Sequence, residues 1–170
     1  MPGGLLNLRG RVRVVLGDNI DTDVIFPGRY LNITDRDKTA EHLFELVYPE
    51  IRAKLEPGDF IVAAKNFGCG SSREQAAVAL KFAGVGAVLA ASFGRIFFRN
   101  AINLGLPAVI APEASEGCRV GDELEIDLCA GTIRNLTQNR TIPAAALDPR
   151  AVDLLAAGGL IPYLRRKYAA

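Results

Sequence analysis

Three observations predict an α/β fold with a mostly parallel central βαβ core and an antiparallel C-terminal β region. Between Phe60 and Ile110, short apolar runs alternate with stretches of helical periodicity, the pattern of parallel strands joined by crossover helices. Past Pro112 the chain turns to short alternating segments separated by Gly and Asn turns, as antiparallel strands require. The 170 residues, 49% of them hydrophobic, suffice for one domain with a real core.

The elements follow in order. Residues 1–10 read as a flexible end, and Arg11 to Leu16 alternates as a strand that Gly17-Asp18-Asn19 breaks. Asp18 to Asp37 runs as a loop without a periodicity that buries a face. It carries Asp18, Asp21 and Asp23, then Pro27-Gly28, then a polar stretch from Asn32 to Lys38. Loops of this length are often functional. From Thr39 to Leu55 the residues Leu43, Phe44, Leu46, Val47, Ile51 and Leu55 recur at helical spacing, with Pro49 dividing the run into two pieces.

The centre reads as strand 60–64, helix 72–83, strand 86–91, helix 94–103 and strand 107–110. Val120 to Leu128, Gly131 to Leu136 and Arg140 to Ile142 supply the antiparallel strands. A last helix spans Pro149 to Ala157. Gly158-Gly159 ends it, and residues 164–170, with Arg165-Arg166-Lys167, read as a solvated flexible end.

Composition narrows the function. A formal net charge of +1 gives no broad basic field, so nucleic-acid binding by counterion release has little to work with. No apolar run reaches the roughly 20 residues that span a bilayer, and the first residues lack a basic start with an apolar core. A cytoplasmic protein that uses neither membrane nor nucleic acid is expected. Cys69, Cys118 and Cys129 are odd in number and unrelated in spacing, which predicts reduced thiols.

The segment Asn66 to Gln75 holds the chemistry, because it places two glycines, two hydroxyls and a cation between a strand and a helix. Gly68-Cys69-Gly70 opens like a dinucleotide fingerprint, but Arg73 replaces the third glycine and no acid ends the following strand. A P-loop lysine is missing. A nucleophile elbow would need Gly-x-Ser-x-Gly and a histidine, and the sole histidine, His42, lies in a helical stretch where a structural role suffices. Ser71-x-x-Glu74 also fits a capping box, which would account for one serine without any ligand. The glycines and Arg73 point further, to a small carboxylate held by helix N–H groups, the Ser71 and Ser72 hydroxyls and the Arg73 fork. The same donors would lower the cost of an alkoxide on one serine, so that it could act as a base.

Asn66-Phe67-Gly68-Cys69-Gly70-Ser71-Ser72-Arg73-Glu74 resembles the signature of the aconitase swivel domain. Asp18 to Leu31, with Asp21-Thr22-Asp23, resembles that family's first loop, and Ala91 to Asn100 resembles its second helix. The similarity covers roughly residues 11 to 163 and implies an aconitase-type swivelling β/β/α domain occupying the whole chain. At this length the chain is similar to the free-standing small subunit of 3-isopropylmalate dehydratase and homoaconitase. That implies a hydro-lyase of leucine biosynthesis, active only with a large subunit that carries a 4Fe–4S cluster, the small subunit itself holding no cofactor.

Position by position, the resemblance implies that Ser71 is the catalytic base and that Ser72 and Arg73 bind substrate carboxylate. It makes Asp23 an acid that orders the active site. The loop after Tyr30-Leu31 corresponds to the family's specificity loop, here Asn32-Ile33. Asn32 cannot pair an ionised carboxylate as an arginine does, and Ile33 suits a branched alkyl group, so 3-isopropylmalate is expected ahead of homoaconitate or another malate derivative. A non-catalytic module that binds small carboxylates is the competing expectation from a different class.

Overall fold

The computed structural model describes residues 7–169. Its strands are β1 (Asn7–Val15), β2 (Phe60–Ala63), β3 (Ala87–Ala90), β4 (Ala108–Ile110), β5 (Glu123–Asp127), β6 (Thr132–Asn135) and β7 (Arg140–Pro143). They form one 7-stranded sheet in the order β4-β3-β2-β1-β5-β6-β7. Pairing is parallel from β4 to β1 and antiparallel from β1 to β7. β1 serves both halves: Asn7 to Arg11 pair with β5, and Val12, Val14 and Val15 pair with β2 across an irregularity between Val12 and Val14.

The short apolar runs are buried on both faces because the sheet divides two cores. Ile61, Ala63, Val88 and Ala90 point into one, with the apolar faces of helices α4 (Glu74–Phe82) and α5 (Arg95–Asn103). Phe60, Val62, Ala87 and Leu89 point into the other, where Leu124, Ile126, Ile133 and Ile142 from the antiparallel half close over them. Alternate side chains thus go to opposite cores, which is why these strands show no polar alternation. β5 alternates instead, with Leu124 and Ile126 buried between partly exposed acids.

Several expected boundaries are corrected. β1 begins inside the stretch expected to be a flexible end, because β5 offers it a partner as far as Asn7 and Arg9 pairs with Glu123 at 2.9 Å. Residues 1–6 lie outside the described residues. The expected loop 18–37 contains α1 (Thr22–Ile25), a 3-10 turn at Gly28–Tyr30 and the start of α2 (Arg36–Glu41). Side-chain caps start these helices without a long periodic face: Asp21 accepts from Val24 N at 2.9 Å and Asp35 from Lys38 N at 3.0 Å.

Of the two helical pieces expected over 39–55, the second forms α3 (Pro49–Lys54), while the first stops at Glu41, because the buried Phe44 takes a left-handed φ of 57°. α4 starts at Glu74 with Arg73 at its N-cap and no side-chain capping bond, so the capping box is not formed. The strand expected from Val120 begins at Glu123, after a turn closed by Asp122 N donating to Arg119 O at 3.0 Å. A short α6 (Ala114–Gly117) follows β4.

After α7 (Pro149–Ala157), Gly158 adopts φ 87° and Gly159 N donates to Leu154 O at 2.8 Å. The expected solvated end then forms α8 (Leu160–Tyr168), which packs on α7 and α5 and buries no residue fully. Leu160, Tyr163 and Leu164 recur at helical spacing and give it enough apolar surface to dock.

Candidate active site

β1, β2 and β3 are parallel neighbours, so the segments that follow them leave the sheet at the same edge. Those segments carry the motifs singled out in the sequence. Main-chain bonds zip them together: Asn19 N donates to Lys65 O at 2.8 Å, Gly68 N to Ile20 O at 2.7 Å and Thr22 N to Cys69 O at 2.9 Å. On the other side, Phe67 N donates to Ser92 O at 3.0 Å and Gly94 N to Phe67 O at 2.8 Å. The central turn is therefore clamped by both neighbours.

Gly68 shows why the turn needs glycine. Its φ is +76°, and an added Cβ would lie 2.2 Å from Cγ of Phe97. Neither the backbone nor the space tolerates a side chain there. Phe67, Phe93 and Phe97 form an aromatic cluster beneath the turn, with edge contacts of 6.1 and 5.3 Å between ring centroids from Phe67.

Asp21-Thr22-Asp23 supplies a separate contact from each residue. Asp21 caps α1. Thr22, 1% exposed, places its Oγ1 3.1 Å from Oγ of Ser71, and either hydroxyl can donate. Asp23 accepts a hydrogen bond from the Arg73 guanidinium, the two side chains being 61% and 25% exposed. Gly28 makes room for this ion pair, because a Cβ there would come within 2.8 Å of Arg73 Nη1.

The predicted site residues therefore fall into two groups. Ser71, Arg73 and Asp23 are brought together, with Ser71 and the adjacent Ser72 exposed on the surface. The cation that sequence assigned to a ligand already has an internal anion, so an incoming carboxylate must share Arg73 with Asp23 or displace it. Asn32 and Ile33 lie on the loop before α2, and Ile33 rather than Asn32 lines a cavity of about 240 Å³ beside Glu74, Gln75 and Val78.

Thr22 escaped the sequence reading. The only signal available was its place in the acid-flanked triplet, since its partner lies 49 residues away. Glu45 escaped as well. It accepts from Tyr30 Oη at 2.9 Å and from Arg29 at 3.0 Å, and it bonds to His42 Nδ1. The His42 bond leads in holding its carboxyl below the usual range, helped by Tyr30 and Arg29 and opposed by burial.

The cysteines offer neither a nucleophile nor a ligand set. Burial, aided by the charge of Asp21, pushes the Cys69 thiol up, and Cys118 is pushed to about 11 mainly by burial. Cys129 is exposed on a separate turn. Among the described residues, no group of three or more His, Cys, Asp and Glu side chains is placed to hold a metal ion. A 4Fe–4S cluster, which needs clustered thiolates, does not fit them.

A parallel βαβ core carrying a glycine turn at its carboxyl edge, joined to an antiparallel half, defines an aconitase-type swivelling domain. The chain belongs to that family: residues 19–113 match the aconitase C-terminal domain. Its relatives at near full length include small subunits of 3-isopropylmalate dehydratase. It is 55% identical to that of Moorella thermoacetica over 151 residues, covering 89% of this chain and 91% of the relative. It is 50% identical to that of Aquifex aeolicus over 165 residues, covering 96% and 98%. The isopropylmalate/citramalate isomerase small subunit of Methanocaldococcus jannaschii is 47% identical over 162 residues, covering 95% and 96%. The crystal structure of 3-isopropylmalate dehydratase from the same organism superposes with a TM-score of 0.89 at 44% identity, covering 96% of each chain. Among the described residues, no helix is long and apolar enough to cross a membrane.

Proposed function

We propose that this chain is the small subunit of a cytoplasmic hydro-lyase that interconverts 3- and 2-isopropylmalate by eliminating and readding water, in leucine biosynthesis. The observation that carries the proposal is the near-full-length similarity to dehydratase small subunits, 55% and 50% identical. The open position of Ser71 beside Thr22 and Arg73 supports it, since an exposed base invites a partner surface to complete the site.

In this reading Ser71 Oγ takes the proton from the carbon next to a substrate carboxylate while hydroxide leaves the adjacent carbon. Readdition with the two positions exchanged gives the isomer. Thr22, donating to Ser71 across 3.1 Å, lowers the cost of the alkoxide. Ser72 and Arg73 hold the carboxylate, and Asp23 holds the Arg73 fork in place. We place the 4Fe–4S cluster, with the Lewis-acid chemistry it supplies, on the large subunit.

The substrate follows from the charges near the loop. Arg29 is engaged by Glu45, and Arg36, 5.1 Å over the Phe82 ring, shares the cavity lining with the opposite charge of Glu74. Leu31, Ile33 and Val78 offer apolar surface in the cavity. These features favour an alkylmalate over the tricarboxylate homoaconitate. The similarity to the isopropylmalate/citramalate isomerase small subunit of Methanocaldococcus jannaschii favours a methyl-substituted malate as the second substrate.

Co-expression with the large subunit and reconstitution of its cluster tests the reading. Water elimination from 3-isopropylmalate is expected, and the isolated chain is expected to be inactive. A loaded complex that leaves both isopropyl- and methylmalates unchanged would sink it. Tight carboxylate binding by the isolated chain, with no large subunit captured, would favour the non-catalytic module instead.

A further inference from the structure

The chain leaves the site at Tyr30 and comes back to the same place at His42. The two rings stack with centroids 3.7 Å apart and planes 15° from parallel, closing an excursion that contains the 31–35 loop and α2. Glu45 fastens this closure. Its Oε1 accepts from Tyr30 Oη at 2.9 Å and from Arg29 at 3.0 Å, and its Oε2 bonds to His42 Nδ1. One carboxylate thus ties the entry of the excursion to its exit.

The carboxylate is itself aimed by an unusual backbone. Phe44 holds φ at 57°, a left-handed conformation that disfavours a non-glycine residue, and it is 0% exposed. Phe44 N donates to Ile25 O at 2.8 Å, which anchors the bend to the end of α1. The guanidinium of Arg29 lies 4.8 Å from the Tyr30 ring centroid, adding a second hold on that ring.

The excursion forms one wall of the 240 Å³ cavity, through Leu31, Ile33, Thr34, Arg36 and Thr39, and the start of α4 forms the other. α4 begins directly after Arg73. Packing along α4 holds α2, so a shift of the closure bears on the stretch between Tyr30 and α2 and on the cavity width there, while the turn before Ser71 stays zipped into the neighbouring loops.

We infer that Glu45, with Tyr30 and His42, is a positioning staple that fixes this wall and so sets how strongly the enzyme discriminates between alkyl groups on its substrate. The inference rests on the dehydratase reading. Glu45 touches no reacting atom in it.

The test uses the reconstituted complex with Glu45→Ala, Glu45→Gln and Tyr30→Phe, each assayed for kcat and KM on isopropyl- and methyl-substituted malates. Glu45→Ala should raise KM for the isopropyl compound and compress the kcat/KM preference between the two by about tenfold, with kcat held within about twofold. Glu45→Gln keeps an acceptor for Tyr30 but loses the ion pairs, and should fall between. Tyr30→Phe keeps the ring stack and loses one bond, so it should give the smallest change and serves if the alanine variant does not assemble. Unchanged preference in Tyr30→Phe and Glu45→Gln, or equal losses of kcat on both substrates, would overturn the inference. A wild-type complex inactive on both malates would instead mark failure of the dehydratase reading.

Discussion

The hydroxyls of Thr22 and Ser71 lie 3.1 Å apart although 49 residues separate them in the chain. Thr22 is buried and Ser71 is exposed, so the contact joins the interior to the surface at the proposed base. Thr22→Val should keep the fold, because it exchanges a hydroxyl for a methyl, and should lower kcat about tenfold or more by removing a donor to the alkoxide. Thr22→Ser should restore most of the rate. Steady-state kinetics of the complex check this, and equal rates for Val and wild type would remove Thr22 from the mechanism.

Ser71→Ala removes the proposed base and little volume. The expected loss is about 10²- to 10⁴-fold in kcat, with the large subunit still co-purifying. Retention of near-wild-type turnover would show that the proton goes elsewhere.

Arg73→Lys should act on binding. An ammonium cannot reach Asp23 and a substrate carboxylate with the geometry of a fork, so KM should rise about tenfold or more while kcat changes less. Isothermal titration with a non-reacting dicarboxylate gives the same comparison without turnover.

Cys118 provides a pH signature. Its thiol rises from an ordinary 9.0 to about 11 in the folded protein, because burial disfavours the thiolate. The unfolded chain therefore ionises first. The Cys118 contribution is intact below pH 9.0, falls as pH rises towards 11 and levels off above it. Urea midpoints at rising pH should fall through that window for the wild type and fall less for Cys118→Ala. Alkylation read by mass spectrometry near neutral pH should label the exposed Cys129 well before Cys118.

The parallel core was legible in the sequence because Phe60 to Ala63 and Ala87 to Ala90 are buried on both faces and carry almost no polar residue. The glycine turn was legible through residues that no simple cap requires. Phe44 was not, since nothing local announces a left-handed phenylalanine held by a bond to Ile25. The Ser71 capping box looked sound locally, yet the chain spends Ser71 on Thr22 and leaves Arg73 at the N-cap. Tertiary pairing outbid the local motif. α8 was hidden for the opposite reason, its basic residues masking an apolar stripe that docks on α7 and α5.

The loops around Ser71 are joined backbone to backbone, from Asn19 with Lys65 to Gly94 with Phe67. The excursion from Leu31 to Glu41 lies outside that weave, held at its two feet and by the packing of α2 along α4. On the proposed reading, the base and the substrate preference sit in neighbouring segments that different contacts hold. Exchange of residues 31–35 is then expected to alter the preference among malates in the reconstituted complex while Ser71 keeps its contact with Thr22.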